Sequence, residues 1–194
     1  MNQKDIIAFF DRLAPQWDGD LIRSDSIIAT ILDNAKVAPG NAVLDIACGT
    51  GVLIGDYLDR GVASVTGIDI SPEMIKIARG KFPQAHVNFI CGDAQTYDFS
   101  TLFDNIVIYN AFPHFPDPEG LLQALCKHLK PGGTLTVAHG MSRAAIDRHH
   151  AGTASKVSMG LMHEDDLAAL MSKYLTVTVK ISNDQMYQLA GSTG

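Results

Sequence analysis

Residues 43–53 read Val-Leu-Asp-Ile-Ala-Cys-Gly-Thr-Gly-Val-Leu, and no other stretch restricts the fold so strongly. An apolar run through Ala42, Val43, Leu44, Ile46 and Ala47 stops at Gly49-Thr50-Gly51. Helical spacing then begins at Val52, Leu53 and Ile54. The pattern predicts a buried strand, a glycine turn and a helix start. Glycine permits the tight turn and leaves no Cβ in the way of a ligand approaching bare backbone. The N–H groups of the following helix start are expected to face a polar or anionic group.

A second apolar run, residues 64–69, closes on Asp69, twenty positions after Gly49. In nucleotide folds a ribose-binding carboxylate follows the glycine turn by about 20 residues. A carboxylate placed there accepts hydrogen bonds from both ribose hydroxyls. A solvated acid at a strand end is the plainer alternative.

Together these residues resemble motif I of the class I S-adenosylmethionine-dependent methyltransferases, in the small-molecule branch that includes the ubiquinone and menaquinone enzymes. Dinucleotide-binding proteins more usually show G-x-G-x-x-G. Here the run is Asp45-Ile46-Ala47-Cys48-Gly49-Thr50-Gly51, with Ala47 where many relatives carry the first glycine. The resemblance implies S-adenosyl-L-methionine, rather than NAD, as cofactor. It implies cofactor contacts from Asp45, Ala47, Gly49, Thr50 and Gly51 in the turn, and from Asp69, Ile70 and Met74 after the second strand. Asp93 in Gly92-Asp93-Ala94 matches the acid that accepts from the adenine amino group, with Ala94 beside it, and Asn110 falls at a later strand end. Residues 9–18, Phe-Phe-Asp-Arg-Leu-Ala-Pro-Gln-Trp-Asp, are similar to the family's N-terminal segment, which folds over the cofactor as a lid; Phe10 and Trp17 are placed there. Simple packing of both rings on the sheet is the alternative.

Periodicity orders the rest of the chain. Helices are expected over residues 3–14, with Ile6, Ile7, Phe10 and Leu13 on one face, and over residues 25–36, capped by Ser24. The helix after the glycine turn should run to about Arg60, where Gly61 ends it. Ser71-Pro72-Glu73 is a helix start with a cap, a proline and a first-turn acid. Strands are expected at residues 86–91, 103–109, 134–138 and 175–181, with a final hairpin strand at 186–190. Helices open at Asp117-Pro118-Glu119 and over residues 163–174. Leu129-Lys130-Pro131-Gly132-Gly133 looks like the family's structural turn into strand five.

Alternating strands and helices with a closing hairpin predict an α/β fold, a Rossmann-like doubly wound and mostly parallel sheet. The resemblance implies seven strands in the order 3-2-1-4-5-7-6, the last antiparallel. The ligand crevice of such folds lies at the carboxyl ends of the strands. The 194 residues suffice for one domain. Residues 1–36 are read as a helical lid and 139–163 as a variable cap segment.

The sulfonium cofactor is an activated methyl donor, so the enzyme must chiefly align a nucleophile and exclude water. No catalytic triad is expected. His114, beyond strand four, and His139, at the end of strand five, are the candidate bases for a hydroxyl or thiol acceptor. The stretch after strand four, Asn110-Ala111-Phe112-Pro113, departs from the N-P-P-[YF] motif of nucleobase amino methylation. Phe112, Pro113 and Phe115 are expected to line an apolar pocket mouth, which suits a small-molecule acceptor.

Arg143, Arg148, His149 and His150 are read either as a cap for an anionic group or second subunit or as a solvated helix. A metal site is not expected, because adjacent histidines do not share a helix face and carboxylates are not at ligand spacing. The net charge of −6 disfavours a nucleic-acid partner. No apolar run reaches the ~18–20 residues of a membrane span, and the polar start is no secretory signal. Cys48, Cys91 and Cys126 are expected as reduced thiols of a cytoplasmic protein, and a homodimer is left open. A non-catalytic cofactor-binding regulator and an NAD-binding oxidoreductase are the alternative functions.

Overall fold

The computed structural model describes residues 2–153 and 156–194, the side chains of 149–153 apart. The chain runs α1 (Gln3–Leu13), α2 (Asp25–Asn34), β1 (Ala42–Ile46), α3 (Ile54–Asp59), β2 (Ser64–Asp69), α4 (Pro72–Lys81), β3 (Val87–Cys91) and β4 (Phe103–Tyr109). It continues with α5 (Pro118–Cys126), β5 (Leu129–His139), α6 (Arg143–Thr153), α7 (Glu164–Met171), β6 (Thr176–Ser182) and β7 (Tyr187–Ser192). The strands form one sheet in the order β3-β2-β1-β4-β5-β7-β6. β1 lies parallel to β2 and β4, and β7 runs antiparallel between β5 and β6. This is the expected order, with the expected reversal of the last strand.

Successive side chains of a strand point to opposite faces, which divides the core into two layers. On β4, Ile106 and Ile108 join Leu44, Ile46, Leu135 and Val137 beneath α5 and α7. Val107 and Tyr109, one residue out of phase, join Val43, Val65 and the inner faces of α2, α3 and α4. Apolar runs such as residues 106–109 in the central strands are what burial on both faces requires. The C-terminal carbonyls of α2 are satisfied from the sheet. The Gln188 Nε2 donates to Ile31 O at 2.9 Å, and Asn105 Nδ2 and Thr134 Oγ1 donate to Ala35 O at 2.8 and 2.7 Å.

Some boundaries move for physical reasons. α2 stops at Asn34, because Lys36 turns left-handed at φ 59°. Ser24 occupies its N-cap position, but its hydroxyl pairs with Ser26 rather than with backbone. The Ser71 cap is made, with Met74 N donating to Ser71 Oγ at 3.1 Å. β5 begins at Leu129, not 134, because Leu129 pairs with Phe103; the next pair is Asn105 with Thr134, so residues 130–133 bulge from the strand with Gly132 at φ 75°. The register shift between Phe103 and Asn105 absorbs the turn that the glycines suggested.

Candidate functional site

β1 ends at Ile46 and the chain turns through Ala47, Gly49 and Gly51, at φ 53°, 56° and 85°. A side chain at Gly51 would bring its Cβ to 2.8 Å from the Phe82 ring, so both conformation and space demand glycine. The turn is tied to β2 by Cys48 N donating to Ile68 O at 3.1 Å. It is tied again by Gly49 N donating to Asp69 Oδ2 at 2.9 Å, while Ser71 N donates to Asp69 Oδ1 at 2.8 Å. Three of the N–H groups expected to be free at the helix start are bonded. Gly51 N and Val52 N donate to Cys48 O, and Ile54 N to Gly51 O, because a tight turn consumes them before α3 begins.

A cavity of about 360 Å³ opens at the carboxyl ends of the strands. The turn contributes Asp45, Ala47 and Gly49, and the end of β2 contributes Asp69, Ile70 and, across α4, Met74. Asp93 and Ala94 follow β3, Asn110 follows β4, and His114 and Trp17 lie on the wall as well. Three sequence-chosen residues do not line it. Thr50 is fully buried, with its hydroxyl donating to Asp18 Oδ1 at 2.5 Å. Gly51 backs onto Phe82. His139 is 2 % exposed, paired in register with Tyr187 and edge-on to its ring at 6.1 Å. Of the expected pocket mouth, Phe115 lines the cavity, whereas Phe112 and Pro113 are buried in the short turn Phe112–His114.

The floor is acidic and buried. Burial raises the Asp45 pKa well above the usual carboxylate range, and the charge of Asp69 raises it further. Burial also raises Asp69, against the hydrogen bonds from Ser71 and Gly49 that favour its charged form. Asp18 goes the other way. Its partial burial is outweighed by Lys81, 2.8 Å away, and by Thr50, which hold it below the ordinary value.

The sequence left α1 without specific contacts, and the structure supplies them. Gln3 Nε2 donates to Asp93 Oδ2 at 3.1 Å. Asp11 accepts from Ser71 Oγ at 2.5 Å and from Glu73 N at 3.4 Å. Ile6 packs with Val157, and Phe9, Phe10 and Ile70 surround the pair. Phe10 lies edge-on to Trp17 and to His114, at 5.8 and 5.1 Å between ring centres. His114 Nδ1 is 2.6 Å from Val157 O. A carbonyl only accepts, so Nδ1 carries the proton there. Val157 gave one signal in the sequence: it is a lone large aliphatic residue within the 151–158 stretch.

Among the described residues, no cluster of three His, Cys, Asp or Glu side chains could hold a metal. The side chains of His149 and His150 lie outside the described residues; Arg143 pairs loosely with Asp147 and Glu164, at 3.9 and 3.7 Å. The three cysteines are free thiols; Cys48 is buried and Cys91, at the end of edge strand β3, is exposed. Among the described residues, no helix is long and apolar enough to cross a membrane.

The family model described as a methyltransferase domain matches residues 43–133, the span from the glycine turn to β5. Residues 43–133 carry a methyltransferase domain. A demethylmenaquinone methyltransferase of Renibacterium salmoninarum is 31% identical over 140 residues, covering 69% of this chain and 58% of the relative. A ubiquinone biosynthesis O-methyltransferase of Xanthomonas campestris pv. campestris is 37% identical over 106 residues, covering 52% and 44%. The chain thus spans about half the length of the curated relatives it matches. The solved N-methyltransferase NodS of Bradyrhizobium japonicum, in complex with S-adenosyl-L-homocysteine, superposes with a TM-score of 0.77 at 16% identity. That match covers 100% of this chain and 99% of NodS, and it shares the fold of the methyltransferase domain.

Proposed function

We propose that the chain is an S-adenosylmethionine-dependent methyltransferase that transfers a methyl group to a small-molecule acceptor by in-line displacement. One observation carries the reading: the glycine turn of β1 and the acids after β2 and β3 line one cavity. Asp69 accepts from the ribose hydroxyls through lone pairs left by its two backbone bonds, and Asp93 accepts from the adenine amino group. Ile70, Met74 and Ala94 offer apolar surface to a planar base. The residues also fit the amino-acid tail. Trp17 Nε1 is a buried donor with no partner among the described residues, and it lies 3.7 Å from where a Cβ on Gly49 would stand. A buried donor calls for an acceptor, and a carboxylate at the turn supplies one. Residues 1–36 act as a lid, held down by Asp11 and Phe10, and residues 139–163 act as a variable cap segment.

The cofactor supplies the activated methyl group. The chain's task is to align the acceptor, exclude water and, for a hydroxyl or thiol, take up its proton. His114 is the base this reading favours, because it lines the cavity with Nδ1 fixed by Val157 O. The free thiols agree with a cytoplasmic protein. Calorimetric titration with S-adenosylmethionine and S-adenosylhomocysteine tests the reading, using wild type, Asp69→Asn and Asp93→Asn. Micromolar binding weakened by both substitutions supports it. Binding of neither ligand by folded protein removes it and brings NAD, or a role without cofactor, to the front.

A further inference from the structure

The Asp93 carboxylate sits between two donors. Gln95 N donates to Oδ1 at 3.0 Å and Gln3 Nε2 to Oδ2 at 3.1 Å. A carboxylate only accepts, so the Gln3 amide must turn its nitrogen, not its oxygen, toward Asp93. One of the two Nε2 hydrogens is used there. The other remains beside the same carboxylate, and Gln3 and Asp93 both line the cavity. Gln3 opens α1, so this contact joins the first turn of α1 to the loop after β3 across ninety positions of chain. At its other end α1 is tied independently, by Asp11 to the Ser71 hydroxyl.

We infer that Gln3 is a specificity-determining residue that reads the cofactor base together with Asp93, favouring adenine over hypoxanthine. The inference rests on the reading of Asp93 as acceptor for the adenine amino group. Adenine presents an amino donor next to a ring-nitrogen acceptor. Asp93 and Gln3 present an acceptor next to a donor, the complementary order. Hypoxanthine presents a carbonyl oxygen next to a ring N–H, the reverse order. It would set oxygen against the Asp93 carboxylate and N–H against the Gln3 N–H. A polar site rejects a ligand of reversed pattern because its own groups are left mispaired. Asp93 supplies part of that rejection alone, and Gln3 supplies the rest.

The test is calorimetric titration of the full chain with S-adenosylhomocysteine and with its inosine counterpart, S-inosylhomocysteine. The proteins are wild type, Gln3→Ala and Asp11→Ala. The preference for the adenine ligand, the ratio of the two Kd values, should fall about 5–10-fold in Gln3→Ala, the effect of one partly exposed hydrogen bond to a base edge. Asp11→Ala loosens α1 without touching the base. It should weaken both ligands by a similar factor and keep the ratio within about twofold of wild type. An unchanged ratio in Gln3→Ala overturns the inference while leaving the cofactor reading intact, as does an equal fall in Asp11→Ala. Failure of folded wild type to bind either ligand overturns both.

Discussion

Asp69 Oδ2 accepts the backbone N–H of Gly49 at 2.9 Å, so the acid at the end of β2 holds the shape of the turn at the end of β1. Its second oxygen accepts Ser71 N and thereby fixes the start of α4. Asp69 is 8% exposed. One side chain therefore joins three elements of the cavity wall while keeping a face toward it. Glycine conformation and acid position are one construction, and a change in either disturbs both.

The first prediction separates these two duties. Asp69→Ala leaves two buried N–H groups without acceptors and should lower stability by about 1–3 kcal/mol, read as a lower denaturation midpoint. Asp69→Asn keeps an oxygen for one N–H and should lose less than half of that. Both should lose cofactor affinity. If Asp69→Ala keeps wild-type stability, the carboxylate does not support the turn.

A second prediction concerns pH. Burial, and then the charge of Asp69, raise the Asp45 pKa in the folded chain. A raised carboxylate binds protons more tightly when folded, so its contribution to stability is full below the unfolded value of ~3.9. That contribution is lost as pH rises through the folded value. Asp45→Asn is close in size and stays neutral. It should match wild type near pH 4 and become the more stable protein as pH rises toward neutrality. Urea midpoints across that range give the answer. A constant difference between the two proteins would mean that Asp45 titrates normally.

The third prediction tests the departure from glycine at Ala47. Its φ of 53° is left-handed, where an L-residue costs about 1–2 kcal/mol. Glycine removes that cost and adds about 0.5–1 kcal/mol of chain entropy. Ala47→Gly should therefore stabilise the protein by about 0.5–1 kcal/mol, raising Tm by about 1–4 °C. Gly51→Ala should do the opposite and more strongly, because φ 85° is joined there by a clash with Phe82. A Tm that falls in Ala47→Gly would show that the methyl group packs well enough to outweigh the strain.

Local pattern carried much of this to the reader of the sequence. The strand–glycine–helix punctuation at residues 43–53 and the Ser71-Pro72 start are rules about neighbours in the chain, and both hold in the structure. The sheet order came from resemblance, since periodicity alone does not rank strands. What stayed hidden were contacts between distant residues. Nothing near Gln3 announces Asp93, and nothing near His114 announces the carbonyl of Val157. The double duty of Asp69 was hidden too, since a strand-end acid reads the same whether it faces a ribose or a backbone N–H. At 130–133 the glycines turn the chain locally, with Gly132 left-handed, but pairing of Leu129 with Phe103 makes the turn a bulge inside β5 rather than its start.

The last prediction concerns Trp17, the single tryptophan of the chain. Its indole N–H is buried without a partner among the described residues, and its ring meets Phe10 edge-on. An acceptor on the ligand would relieve the unpaired donor, and a hydrogen bond to a charged acceptor contributes about 1.5–3 kcal/mol. Trp17→Phe keeps an aromatic ring against Phe10 but removes the donor. It should weaken S-adenosylhomocysteine by about tenfold or more, while 5′-methylthioadenosine, which lacks the amino-acid tail, should change by no more than about twofold. In wild type, indole emission should shift as S-adenosylhomocysteine is added and shift less with methylthioadenosine. Equal weakening of both ligands would assign Trp17 to packing of the lid. Loss confined to the ligand with a carboxylate would assign its N–H to the tail.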